Sequence, residues 1–203
     1  NPTPFRTFIF GIGSATLIFC FGYLIFLYLP LAKAFYNYKF GPNIKEPTKE
    51  IKSIPEEKPD LEDFYIYIPK IKASAKIFAN IPPDKKEVYL QVLQQGVAHS
   101  QGSGFPGGGE TIYLFAHSTN SSFNAIRLNA VFMLLNQLEN NDQIIIFFNG
   151  KRYNYKVFDK KIVNPEQIEY FSYPSNKETL ILQTCWPPGT IWKRLLILAN
   201  PTP

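Results

Sequence analysis

No charged residue occurs between Thr7 and Ala32. As a helix this run of roughly 26 residues spans about 39 Å, enough to cross a hydrocarbon core about 30 Å thick with some tilt. It reads as a single N-terminal transmembrane helix over 7–32, behind a short tail at 1–6. Tyr23, Tyr28, Tyr36 and Tyr38 crowd its C-terminal end, as in an interfacial aromatic belt. The competing reading is a cleaved signal peptide. That has an apolar core of about 7–15 residues followed by a small-x-small site; this run is longer, and no such site follows a short apolar stretch. Orientation is not set by charge, because Arg6 precedes the run while Lys33 and Lys39 follow it.

Residues 33–63 read as a linker. Lys45-Glu46-Pro47, Lys49-Glu50 and Pro55-Glu56-Glu57-Lys58-Pro59 dominate it. Such a segment lacks the apolar surface to offset the entropy of ordering, and its prolines favour an extended form. It would hold the following domain away from the bilayer.

Residues 64–200 are the folded domain. Phe64–Ile68 alternates aromatic and β-branched residues and predicts a strand ended by Pro69. A short helix is expected from Asp84, as N-cap, to Gln95, with Gly96 as its stop. Thr111–Ala116 predicts another strand. Asn129–Leu138 predicts a helix with Val131, Leu134, Leu135 and Leu138 on one face. Gln143–Phe148 and Lys151–Phe158 flank Asn149-Gly150, the sequence signal of a type I′ hairpin. Thr179–Thr184 and Lys193–Ala199 are the last two strands. Many strands and short helices, in a chain with 17 prolines and 16% aromatics, imply a mainly β fold closed into a barrel. The stretch Gly102-Ser103-Gly104-Phe105-Pro106-Gly107-Gly108-Gly109 fits neither a Walker loop nor a dinucleotide fingerprint, and reads as a flexible connector.

Composition excludes several classes. The two cysteines, Cys20 and Cys185, lie in the apolar run and far along the chain, so both read as free thiols and no disulfide framework exists. The net charge of +5 is scattered. No basic stripe with interleaved aromatics argues for nucleic acid; weak attraction to anionic surface polymers or head groups is the functional reading of the excess. His99, His117 and Cys185 have no zinc-like spacing, so no metal and no cofactor is expected.

The chemistry lies at strand ends. Cys185 closes the apolar run Leu180-Ile181-Leu182-Gln183-Thr184, and Trp186-Pro187-Pro188-Gly189 turns the chain after it. Cysteine is often simply a buried core residue. Here Leu180 and Leu182 already serve one face and Ile181 the other, and a strand end followed by a loop favours exposure. His117 ends the strand 111–116 before a polar loop; alone it is as readily a solvated turn residue. Cysteine–histidine pairing depends on space and not on sequence distance. Arg194 lies in the strand after the loop, immediately after Lys193. It is either a surface charge or a fixed cation facing Cys185, suited to an oxyanion. Alternation lets only one of Lys193 and Arg194 face the site. His99, after Gly96-Val97-Ala98, is a second histidine candidate.

The strand end Leu182-Gln183-Thr184-Cys185, with an arginine in the next strand and a histidine after an earlier one, resembles the sortases, the membrane-anchored cysteine transpeptidases of bacterial surfaces. Ile66-Tyr67-Ile68-Pro69-Lys70-Ile71 and Gly96-Val97-Ala98-His99 before a Pro-Gly loop are also similar to that family. Ile181 departs from it, since many members carry threonine there. The resemblance implies a closed eight-stranded β-barrel with short helices. It implies catalysis by Cys185, His117 and Arg194, and substrate binding by Thr184, Trp186 and His99. The implied reaction cleaves a Leu-Pro-x-Thr-Gly-like sorting signal, forms a thioester and transfers the protein to an amine of a wall precursor or a pilin lysine. Its partners would be surface proteins bearing that signal, with the domain outside the cytoplasm on a single-pass anchor. The residues alone leave two other readings open: a hydrolytic cysteine peptidase, and a non-catalytic anchored binding module.

Overall fold

The computed structural model describes residues 4–40, 64–118, 131–167, 169–170 and 177–202. They belong to two compact units divided at Gly41.

The first unit is helix α1, Pro4–Phe40. It runs past the expected boundary at Ala32, so the first residues of the expected linker, 33–40, are helical; Lys39 in the last turn complements the negative end of the helix dipole. The rest of the expected linker, 41–63, lies outside the described residues. Within α1 the uninterrupted stretch of described side chains is 13–26, shorter than the roughly 20 apolar residues a span requires. Among the described residues no helix is long and apolar enough to cross a membrane. The side chains at 7–12, 27–28 and 30–31 of the expected anchor lie outside them.

The second unit is a closed barrel. Its strands are β1 Tyr65–Ile68, β2 Ala73–Ile81, β3 Val97–Ser100, β4 Thr111–Phe115, β5 Gln143–Phe148, β6 Lys151–Val163, β7 Thr179–Trp186 and β8 Lys193–Thr202. Around the barrel the order is β1-β2-β3-β4-β7-β8-β6-β5. Six of its eight neighbouring pairs are antiparallel; β2/β3 and β4/β7 are parallel. Helix α2, Lys86–Leu93, fills the crossover from β2 to β3. Closure leaves no open sheet edge.

Local chemistry explains the elements. Asn149 and Gly150 have φ of 50° and 70°, the pair of positive values a type I′ turn needs, and Phe148 pairs with Lys151 across it. A bulge between Val157 and Asp159 reverses the alternation of β6. Val157 before it pairs with Ala199, whereas Val163 after it pairs with Arg194. Gly96 allows β3 to enter beside β2: a Cβ there would stand 2.4 Å from the Lys76 carbonyl oxygen.

Three expectations are corrected. Asp84 does not cap α2: the N-cap position is Lys85, without a side-chain cap. Residues 129–130 of the expected helix 129–138 lie outside the described residues; the rest is a turn at 131–134 followed by a single 3-10 turn, Leu135–Gln137. Phe132, Met133, Leu134, Leu135 and Leu138 are all buried, which one stripe of an α-helix would not achieve. The glycine-dense stretch is not a flexible connector. Gly107 and Gly109 donate their N–H groups to Glu178 Oε2 at 2.9 and 3.1 Å, and Gly104 N–H donates to the Thr111 carbonyl at 2.7 Å. Phe105 within it stacks on His99 and Phe148, with ring centroids 4.3 and 5.2 Å apart.

Candidate active site

Strands β4, β7 and β8 are adjacent and buried on both faces. On one face Tyr113, Phe115, Ile181, Leu196 and Leu198 pack with Leu93 and with half-buried Tyr89 and Val92 of α2. This is the barrel exterior, covered by the helix. The alternate residues Ile112, Leu114, Leu180, Leu182, Leu195 and Ile197 are fully buried and face the interior. Burial on both sides explains the unbroken apolar run Leu180-Ile181-Leu182.

The odd-numbered exterior residues of β7 lead through Ile181 and Gln183 to Cys185. The strand continues through Cys185 to Trp186, past the expected end at Thr184. Cys185 pairs with Arg194 of β8. On the other flank β4 runs parallel to β7, with Phe115 opposite Gln183; the same offset carries His117 level with Cys185. The Ala116 N–H donates to the Gln183 carbonyl at 3.1 Å, extending this register beyond the end of β4. Cys185 and Arg194 are thus ladder partners on one face of β7 and β8, and the register of β4, continued two residues past its end, brings His117 level with Cys185 on the other flank. Adjacent strands are about 4.8 Å apart, which is the scale of a nucleophile–base–cation cluster.

All three are half-exposed. Partial burial lowers the His117 pKa, so at neutral pH its imidazole is predominantly uncharged. Arg194 Nη1 donates to the carbonyls of Ile191 and Lys193, at 3.1 and 3.2 Å, which tethers the guanidinium to the preceding loop. Its charge is felt at Tyr113, whose pKa is raised by burial and only partly drawn back by Arg194. Lys193 turns the other way and donates to Asn164 Oδ1 at 2.5 Å. Of the two cations, Arg194 is thus the one on the Cys185 face. Among the described residues no three His, Cys, Asp or Glu side chains are grouped as a metal site would need.

The other sequence candidates do not join this row. Thr184 is buried, and its hydroxyl donates to the Ala116 carbonyl at 2.9 Å, bridging the strands. His99 is fully buried. Its Nδ1 accepts from the Asn80 N–H at 3.2 Å, while Nε2 lies 2.9 Å from the Gly104 carbonyl and 3.1 Å from Ser103 Oγ. Burial lowers its pKa, and this pattern is that of the neutral Nε2–H tautomer. So enclosed, His99 is engaged by the protein's own groups and does not stand beside Cys185. Trp186 is half-buried, and its parity puts it on the opposite face of β7 from Cys185. In the loop that follows, Ile191 and Trp192 are exposed.

Two features were missed in the sequence. The Tyr113 hydroxyl donates to Gln183 Oε1 at 2.6 Å, directly behind the Cys185 row. The nearly buried Glu178 carboxylate accepts from the Tyr155 hydroxyl at 2.6 Å as well as from the glycine loop. Alternation in β7 alone announced that residue 183 shares the face of Cys185; nothing local announced Glu178.

The class is that of a closed eight-stranded barrel with a half-exposed cysteine and arginine paired at the ends of two neighbouring strands. A sortase-domain model matches residues 66–202. Sortase D of Bacillus subtilis is 29% identical over 133 residues, which is 64% of this chain and 59% of that protein; the chain thus spans well under two thirds of this relative's length. Among solved structures, the lid mutant of sortase A from Corynebacterium diphtheriae superimposes with a TM-score of 0.57 at 25% identity, covering 73% of each chain. Sortase C-1 from Actinomyces oris gives 0.58 at 27% identity, over 69% of this chain and 73% of that one. The chain belongs to the sortase family, whose members are cysteine transpeptidases.

Proposed function

We propose that the protein is a membrane-anchored transpeptidase that attaches surface proteins to an amine acceptor. The observation that carries this reading is the register row of His117, Cys185 and Arg194. His117 takes the Cys185 proton, and the thiolate attacks the carbonyl at the cleavage point of a Leu-Pro-x-Thr-Gly-like sorting signal. Arg194 stabilises the oxyanion. As the C–N bond breaks, His117 returns its proton to the departing amine and a thioester to Cys185 remains. An incoming amine attacks that thioester, a new C–N bond forms, the C–S bond breaks, and the amine's proton passes to His117. The acceptor is an amine of a wall precursor or a pilin lysine.

The anchor of this reading is 7–32, and what supports it is the uncharged apolar composition of that run. The domain then works outside the cytoplasm, tethered through 41–63. Exposed Ile191 and Trp192, in the loop bearing the Arg194 tether, are suited to contact the apolar residues of the signal.

The test incubates the protein with a pool of Leu-Pro-x-Thr-Gly-type peptides and oligoglycine, and reads intact-protein and product masses. An acyl adduct on Cys185 resolved into an amine-linked product is the expected result. Resolution by water alone would make it a hydrolase. An unreactive Cys185 with every peptide would overturn the enzymatic reading.

A further inference from the structure

The row directly behind the catalytic one is Phe115–Gln183–Leu196. Its flanking members, and Ile181 beyond, belong to the apolar cluster under α2. A primary amide in that setting is costly unless its polar atoms are partnered. Tyr113 partners only one of them: its hydroxyl donates to Gln183 Oε1 at 2.6 Å. That bond fixes which way round the amide lies. Oε1 is held toward Tyr113, and Nε2, with two N–H donors, has no partner among the described residues. Gln183 is half-exposed, so those donors border the surface that a bound peptide would cover.

Distance suggests what they meet. Two residues along a strand are about 6.6 Å, and an extended peptide has the same two-residue repeat. A peptide lying along β7 with its attacked carbonyl at Cys185 brings another main-chain carbonyl over Gln183. A donor on the acyl side would hold its part of the substrate through the thioester stage as well, so the carbonyl considered is the one two residues upstream of the attacked one.

We propose that Gln183 is a substrate-reading residue, whose side-chain NH2 donates to the main-chain carbonyl two residues upstream of the scissile bond, and that Tyr113 is the positioning residue that presents those donors. The inference rests on the transpeptidase reading above. It assigns recognition of an extended peptide backbone, and not of a particular side chain, to this point of the face. Peptides tolerate sequence change there but not loss of the carbonyl acceptor.

The test uses the best peptide from the mass screen and versions in which single amide linkages are replaced by esters, which weakens one carbonyl acceptor at a time. Gln183→Glu keeps the acceptor for Tyr113 but has no donor when ionised; Gln183→Met removes both polar atoms at similar volume. On the all-amide peptide each variant should lose about fivefold to tenfold in kcat/KM, chiefly through KM, the scale of one hydrogen bond. Wild type should lose about as much on the one ester at the upstream position, and the variants should be indifferent to it. Tyr113→Phe, which frees the amide to turn over, should raise KM less than Gln183→Met does. The alkylation rate of Cys185 by iodoacetamide should stay unchanged in all of them, whereas general damage to the site would move it. If wild type is acylated normally and the Gln183 variants match it, or if they keep the ester penalty, this inference fails alone. If wild type forms no acyl adduct, the transpeptidase reading fails and takes this one with it.

Discussion

The Thr184 hydroxyl donates to the Ala116 carbonyl across 2.9 Å, tying the residue before Cys185 to the residue before His117. Together with the Ala116 N–H bond to the Gln183 carbonyl, it holds the end of β4 in register with β7 after the regular ladder stops at Phe115. Thr184→Val keeps the shape and removes the donor, leaving a buried carbonyl short of a partner. The expected cost is about 1–2 kcal/mol of stability. Because the lost bond sets the height of His117, the acylation rate should also fall, by roughly tenfold. Thr184→Ser should restore both. Thermal unfolding and single-turnover acylation, run side by side, check it; a variant that loses stability but acylates at the wild-type rate would make the bond purely structural.

Cys185 and Arg194 face each other across β7 and β8, so their substitutions should separate covalent chemistry from charge stabilisation. Cys185→Ala should abolish acylation while shifting stability by less than about 1 kcal/mol, since the side chain is half-exposed and partly solvated already. Arg194→Lys keeps the charge but loses the planar fork that donates to the loop carbonyls and still points donors elsewhere. Its acylation rate should fall about a hundredfold, with binding of the peptide to the Cys185→Ala background little changed. Retained turnover in Cys185→Ala would remove the enzymatic assignment altogether.

Burial lowers the His117 pKa, and the direction fixes the acid limb of the rate profile. In the mechanism proposed above, the active state of the Cys185–His117 pair carries one proton. The doubly protonated pair must lose its first proton before attack, and that loss occurs at or below the pKa of His117 in the presence of the neutral thiol. The acid limb of kcat/KM should therefore lie below about 6.5, the ordinary histidine value. Initial rates of peptide acylation from pH 4.5 to 8 measure it. A midpoint at or above the ordinary value would contradict the desolvation of His117.

Much of the barrel is visible in the sequence because its strands alternate or end on strong turn chemistry. Asn149-Gly150 announces its hairpin, and the parity of residues 181, 183 and 185 announces the face of the thiol. β2 and β3 are not visible for physical reasons. β2 carries alanines and Ser74, weak strand formers, with Ala75 and Ile77 as its buried residues. β3 is buried at all four positions and so has no alternation to read. The role of Thr184 is hidden because its partner is a main-chain carbonyl 68 residues away. His99 misleads for the opposite reason: a histidine near a glycine loop looks like a site residue, and only the three-dimensional packing reveals its enclosed hydrogen bonds.

His99 should make the fold sensitive to acid. Its Nδ1 accepts from the Asn80 N–H, a bond that requires an unprotonated nitrogen, and burial depresses its pKa in the folded state. A depressed folded pKa means the unfolded chain binds the proton first. The stabilisation is fully present above about pH 6.5 and is lost as the pH falls through the folded value. The chain has two histidines, and His117 is depressed in the same direction, so a His117→Gln background isolates His99. Unfolding midpoints in that background should fall between pH 7 and 5, and adding His99→Gln should lower stability overall while flattening that decline. An unchanged slope after the second substitution would assign the acid sensitivity to other groups.

Glu178 should govern the order of the glycine loop. One oxygen accepts the N–H groups of Gly107 and Gly109, and the other accepts the Tyr155 hydroxyl. Gly107 and Gly109 have φ of +82° and +79°, a conformation that turns their N–H groups inward and that residues with a Cβ rarely adopt. The carboxylate thereby joins the start of β7, strand β6 and the loop that carries Phe105 onto His99. Glu178→Gln preserves size and one acceptor but sets an NH2 against either the two loop N–H groups or the tyrosine hydroxyl. The expected loss is about 1–3 kcal/mol. It should be accompanied by faster proteolytic nicking between Gly102 and Gly109, because Phe105 is then less firmly seated. Tyr155→Phe removes only one of the three bonds and leaves the loop anchored, so it should destabilise less and leave the nicking rate near that of wild type. Equal nicking in both variants would show that the loop is held by the stacking of Phe105 and not by the carboxylate.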